Sequence, residues 1–145
     1  MIHRRIPIAC VLVSLLLAGS APAQNVPIRG SFTTGQAARF VLGQMNFSDI
    51  TFGTTQDRWG ATSGIAIAGN KLIIADSSYL APPNNNRVLI YNDLKALKAR
   101  LPQDPLPLAD VVLGQPDFTS SSSGTSAVIF SQPVGVATDG TRLFI

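Results

Sequence analysis

The segment Val41–Ile74 recurs in one ungapped register as Val112–Ile145, an offset of 71 residues. Twelve positions of the first copy return as the same residue: Val41, Leu42, Gly43, Gln44, Phe47, Gly53, Thr54, Gly64, Ala66, Gly69, Leu72 and Ile74. Others return as chemical kin, such as Asn46 with Asp117, Trp59 with Phe130, Ile65 with Val136 and Lys71 with Arg142. An internal repeat of this length constrains the fold more than any single motif, because each unit must bury its apolar faces against its neighbours.

Composition has meaning only once the N-terminus is set apart. His3, Arg4 and Arg5 precede an apolar run from Ile6 to Leu17, which closes on the small-residue pattern Ala21-Pro22-Ala23 before Gln24. A basic start, a short apolar stretch and an A-x-A site predict a secretory signal peptide over 1–23, and the run is too short to anchor in a bilayer. Ser20 stands where a lipoprotein signal needs Cys, and Arg4-Arg5 lacks the flanks of a twin-arginine signal. The expected product is secreted or periplasmic, without a membrane span.

Cys10 and His3, each the only residue of its kind, leave with that signal. Arg4 and Arg5 leave too, so Lys plus Arg falls from 11 to 9 against 8 acidic residues, a net charge of +1. The basic pI is thus largely a targeting feature and gives no footing for nucleic acid as a partner. Every acidic residue is Asp. Asp, Asn, Gly, Ser and Thr favour turns over helix interiors, so the skew predicts a β-rich chain. Without Cys there is no disulfide framework or thiol chemistry in the mature chain.

Within one unit the apolar segments are short and separated by turn signals. Gly64–Ala68, the turn pair Gly69-Asn70 and Lys71–Ala75 predict a β-hairpin. The second copy repeats it at Gly135–Thr138, Asp139-Gly140 and Arg142–Ile145. Arg87–Tyr91 predicts a third strand and Ala109–Gly114 a fourth. Between them, Asn92–Leu101 predicts one helix, with Asn92 or Asp93 as cap, Leu94, Leu97 and Leu101 on one face, and Pro102 as stop. Lys95, Lys98 and Arg100 fall mostly off that stripe, as a solvated face does.

Four short strands per unit at a fixed period is the logic of a β-propeller blade. Gly64-Ile65-Ala66, Leu72-Ile73-Ile74-Ala75-Asp76 and Asn84-Asn85-Asn86-Arg87-Val88-Leu89-Ile90-Tyr91 together resemble an NHL-repeat blade. The paired Val-Leu-Gly-Gln segments resemble those of secreted bacterial NHL-type propellers with long blades. Ser77–Pro83 departs from that pattern, being longer than the usual link. The resemblance covers about residues 38–145 and implies an all-β fold: a β-propeller fragment with about one complete four-stranded blade plus parts of two others. The expected divisions are a linker over 24–37, an orphan strand over 38–44, a blade over 64–115 and a broken hairpin over 135–145. That arithmetic implies a natural protein several times longer, whose neighbouring blades would cover the faces left open here.

The resemblance assigns mainly structural work to the matched residues. Asp76 is expected to accept backbone N–H groups or to pair with Arg87 across the hairpin, at about 0–1 kcal/mol if exposed. Asn86 belongs to the same repeat motif. Gly64 and Gly135 are expected to permit positive φ or a close approach between blades. Asn46-Phe47-Ser48 matches a glycosylation sequon, but its twin Asp117-Phe118-Thr119 does not, so it reads as structural. Trp59 and Tyr79 are the aromatic candidates for ligand contact; Trp59 aligns with Phe130, which favours packing, whereas Tyr79 lies in the lengthened loop.

Two functional classes follow. The first is an exported, non-enzymatic scaffold binding a protein or polysaccharide ligand, with no cofactor or metal. The second is a propeller-type hydrolase or lyase of the lactonase-like kind, with a metal in a central channel. That second class needs converging Glu, Asp, Asn or His ligands, and the mature chain offers neither His nor Glu. Asp76 and Asp139 are its remaining contributors.

Overall fold

The structure, a computed structural model, describes residues 32–77, 83–101 and 104–145. The signal peptide, most of the linker and Tyr79 lie outside the described residues. Residues 32–36 contain a turn closed by the Gln36 N–H on the Thr33 carbonyl at 3.1 Å. From Ala37 to Ile145 the chain forms one compact unit.

Among the described residues the fold is all-β, with one short helix. Strands β1 (Thr62–Ala68), β2 (Lys71–Asp76), β3 (Arg87–Tyr91) and β4 (Val111–Leu113) form an antiparallel sheet in the order β1-β2-β3-β4. Strands β5 (Ala137–Thr138) and β6 (Leu143–Phe144) form a separate antiparallel hairpin. The β1–β2 ladder closes at Ala68 opposite Lys71, leaving Gly69 and Asn70 as the turn. Gly69 takes φ +57, the left-handed conformation a tight hairpin demands at that place. In the second copy the Asp139 N–H reaches the Arg142 carbonyl at 3.3 Å and Gly140 takes φ +91, so the ladder runs past β5 and β6 to the corresponding turn.

Alternation along the strands divides the sheet into two apolar faces. On the front, Ile65 stands opposite Ile74, Ile74 opposite Leu89, and Leu89 opposite Val112. Ile74, Leu89 and Tyr91 pack there with Trp59, Leu94, Leu97 and Ala109, joined by Phe40, Leu42, Leu72, Val112 and Phe118. Trp59 meets the Tyr91 ring edge-on, at 6.0 Å between centroids and 73° between planes. On the back, Ile73, Ala75 and Val88 are covered by Phe130, Val136 and Leu143 of the second copy. One repeat therefore lies with its front on the back of the other.

Helix α1 (Leu94–Ala99) is shorter than the expected 92–101. Asp93 caps it, its carboxylate accepting the Ala96 N–H at 2.9 Å, and Arg100 is already extended at φ −62, ψ 149. Leu94 and Leu97 are buried while Leu101 is exposed, so the apolar stripe stops with the helix. Among the described residues no helix is long and apolar enough to cross a membrane.

The expected strand over 38–44 does not form. Val41–Gln44 holds only a parallel bridge between Gly43 and Arg58. A strand needs a partner, and this segment pairs with none of the described strands. Its twin Val111–Leu113 becomes β4 because β3 lies beside it.

Candidate functional site

The residues singled out by the repeat motif converge at one end of the sheet. Asp76 closes β2 and Arg87 opens β3, directly opposite in register. Arg87 Nε donates to Asp76 Oδ2 at 2.7 Å, and both side chains have no solvent exposure. The pair is buried, because loops from both repeats close over it. Arg87 Nη2 donates to the carbonyls of Thr55 and Arg58, each at 3.0 Å, and Nη1 donates to the carbonyl of Phe118. Thr55 and Arg58 belong to the loop of the first copy, Phe118 to the corresponding loop of the second.

The carboxylate is satisfied from other directions as well. Asp76 Oδ1 accepts the Gly60 N–H at 2.8 Å, and Oδ2 accepts Asn85 Nδ2 at 2.8 Å. Asn85, wholly buried, also donates to the Gly53 carbonyl at 2.9 Å and accepts the Thr54 hydroxyl. Burial pushes the Asp76 carboxyl above its ordinary range, and the guanidinium and N–H donors oppose that push. Burying the pair costs solvation, which its mutual attraction and the Gly60 and Asn85 donors oppose.

Asn86, at φ +48, forms the second half of the site. Asn and Asp tolerate this region better than other side chains. Its amide Nδ2 donates to the carbonyls of Asn84 and Ser121, each at 3.1 Å, and its Oδ1 accepts the Gln132 N–H at 2.9 Å. Its own carbonyl accepts Gln115 Nε2 at 3.0 Å, which also reaches the Ser122 carbonyl at 2.7 Å. Asn86 is thus bonded into the loop of the second copy, while Asn85 is bonded into the loop of the first. Asn85, Gly60 and Gln115 were not singled out from the sequence. Gln115 carried a signal, since it recurs as Gln44, but Gln44 bonds only locally, to the Asn46 carbonyl at 3.2 Å.

The two loops share their internal construction. Gly43 and Gly114 take φ +80 and +81, and their carbonyls accept the N–H groups of Trp59 and Phe130 at 3.3 and 3.2 Å. The Gly53 N–H reaches the Trp59 carbonyl at 3.2 Å as the Gly124 N–H reaches Phe130 at 3.1 Å. Asn46 and Asp117 each accept an N–H two residues on at 2.8 Å, from Ser48 and Thr119. A Cβ at Gly43 would stand 2.0 Å from the Trp59 ring, and one at Gly114 would stand 2.1 Å from Phe130.

Trp59 is buried against Gly43 and Tyr91, so as a ligand contact it is set aside in favour of packing. Gly64 sits at a close approach between copies, where a Cβ would come 3.0 Å from the Gly135 Cα; around Gly135 the same construction meets nothing within 4 Å. Asp139 lies on the exposed turn, bonded to Thr141, Arg142 and the Arg142 guanidinium. It is therefore far in chemical character from the buried Asp76. Among the described residues no three His, Cys, Asp or Glu side chains gather as a metal site. No family model, curated protein or solved structure matches the chain.

Proposed function

We propose that the chain is an exported β-propeller of the NHL-repeat kind, acting as a scaffold whose inter-strand loops bind a protein or polysaccharide ligand. The observation that carries this reading is a shared loop frame bearing different surfaces. Residues 43–60 and 114–131 are built on matching backbone hydrogen bonds. At the exposed positions the first loop presents Met45, Ile50 and Phe52, where the second has Pro116, Ser121 and Ser123. Arg87 and Asn86 hold these loops through backbone carbonyls, which leaves their outward side chains free to vary. A fixed frame with variable loops is how repeat proteins acquire ligands. Stacking of the two-stranded β5–β6 unit on the back of the four-stranded sheet supports the propeller architecture.

The test has two arms. Expression of the full chain in a bacterium with a periplasm, followed by mass determination, is expected to give an exported product beginning at Gln24. The purified product is then screened against arrays of polysaccharides and unfolded peptides beside the M45S/I50S/F52S variant, whose changes spare the buried network. Retained binding at this loop surface is expected in the parent and at least a tenfold loss in the variant. A cytoplasmic uncleaved chain, or equal binding by both, overturns the reading.

A further inference from the structure

Three large apolar side chains stand open on the first loop: Met45 at 57% exposure, Ile50 at 88% and Phe52 at 48%. Their equivalents on the second loop are Pro116, Ser121 and Ser123, and all three are exposed as well. That second loop already lies against a preceding unit, since its Phe118 carbonyl accepts Arg87 and its Ser121 carbonyl accepts the Asn86 amide. The first loop belongs to a unit already followed by another, joined where the Ser63 hydroxyl donates to the Pro133 carbonyl at 2.8 Å. Each kind of neighbour is thus present for one of the two loops, and neither covers these positions. Phe47 differs, because its equivalent Phe118 packs on the front of the four-stranded sheet, so Phe47 is left out of the surface.

One carboxylate gathers the three side chains. Asp49 Oδ2 accepts the Met45 N–H at 3.1 Å, and Oδ1 accepts the Thr51 N–H at 2.9 Å. The backbone at Met45 and the backbone between Ile50 and Phe52 therefore meet at a single residue. Arg58 stands 3.4 Å from the same carboxylate and offsets its charge. Asn46 Oδ1 is engaged by the Ser48 N–H at 2.8 Å, and the Thr54 hydroxyl by Asn85. The loop holds itself together with its own polar groups and turns hydrocarbon and thioether outward.

That division of labour discriminates between ligands. Sugar hydroxyls pressed on Met45, Ile50 and Phe52 would lose water without gaining hydrogen-bond partners, which is costly for each group left unpaired. Aliphatic and aromatic side chains lose no hydrogen bond there and gain by leaving water. Methionine, unbranched and polarisable, fits apolar partners of varied shape. A charged ligand finds no net charge in the Asp49–Arg58 pair to draw it in.

We infer that the ligand of the first loop is an uncharged protein segment bearing large aliphatic or aromatic side chains, held by Met45, Ile50 and Phe52, and not a polysaccharide. That assignment rests on the loops being the ligand surface proposed above. The second loop lacks the three apolar side chains, so the pair of repeats carries one such site.

Isothermal titration of the full chain decides the ligand class with four probes. These are a soluble peptide in which Leu and Phe alternate with Gly and Ser, the same peptide with every Leu and Phe replaced by Ser, dextran, and neutral phospholipid vesicles. The first peptide is expected to bind one-to-one and the other probes not to bind. Met45→Ser and Ile50→Ser are each expected to weaken that binding about tenfold, as anchoring side chains do. Ser121→Ala, at the matching place on the second loop, is expected to bind as the parent does. The affinity is expected to hold as salt rises, and a steep loss would overturn the inference. Binding of dextran in place of the peptide, weakened by the same substitutions, overturns the inference and leaves the loops as the ligand surface. Stronger binding to the vesicles than to the peptide overturns it in favour of a lipid surface. Equal peptide binding by the parent and by M45S/I50S/F52S, or no binding to any probe, overturns both the inference and the loop surface. If the triple variant loses the parent's circular dichroism, Ile50→Ser replaces it: a tenfold loss supports the inference and parental affinity overturns it.

Discussion

Asp76 and Arg87 face each other across the β2–β3 ladder and meet at 2.7 Å with neither side chain touching solvent. Removing one partner strands the other in a medium that solvates it poorly. Arg87→Met is therefore expected to lower unfolding free energy by about 3–5 kcal/mol. Asp76→Leu/Arg87→Met should cost less than the two single changes together, by about 1–3 kcal/mol. It should not restore the parent, since Thr55, Arg58 and Phe118 still lose a donor. Urea titration of the four proteins measures this cycle, and strict additivity would contradict a coupled pair.

Glycines of the repeat divide by what surrounds them. Gly43→Ala and Gly114→Ala each add a Cβ into an aromatic ring at a left-handed φ, so both are expected to lose at least about 2 kcal/mol. Gly69 has a positive φ but open space, and Gly69→Ala should cost only about 1 kcal/mol. Thermal melts rank the three, and a Gly69 change as severe as the other two would sink the steric argument.

The Tyr91 hydroxyl is buried with no hydrogen-bond partner among the described residues. Burial also raises its ionisation above the ordinary phenol range. Deleting an oxygen in that position removes a desolvated group while leaving the edge-on contact with Trp59 intact. Tyr91→Phe is expected to leave stability unchanged or raise it by about 1 kcal/mol. A clear drop in urea midpoint would mean that the oxygen has a partner.

Asp117 is the group whose titration is easiest to follow. Backbone hydrogen bonds from Thr119, helped by the Thr119 hydroxyl and by Ser120, hold its carboxyl down at about 2 from an ordinary 3.8. A lowered folded value means that its contribution is complete above 3.8 and is lost as pH falls toward 2. Carboxyl carbon NMR should place its midpoint near 2. Because Asn46 makes the same turn with a neutral amide, Asp117→Asn should keep the turn and abolish that acid-side loss.

The strands were legible because Val, Ile and Leu alternate between plain turn signals, and the repeat lets each copy check the other. The pairing of Asp76 with Arg87 was one of two roles expected for that carboxylate, and it fills both by also accepting the Gly60 N–H. The burial of the pair was not legible: the covering carbonyls come from loops about thirty residues away in both directions, and nothing local announces them. The bonding role of Asn85, quoted only as part of the motif, was hidden for the same reason, since its partners Thr54 and Gly53 are equally remote. The segment 38–44 misled because identical letters meet different neighbours. Val112 finds Leu89 on β3, whereas Val41 finds no strand.

The guanidinium of Arg87 has consequences for the order in which the chain takes shape. Its carbonyl partners lie 29, 31 and 32 residues away, some upstream and one downstream. Long closures are the slow part of assembling a β protein. The hairpins can zip early on local contacts, but this side chain finds its place only after both flanking loops have arrived. During synthesis, Arg87 must wait as a solvated cation until Phe118 has emerged, and a chain halted before that point has its strands without their clasp.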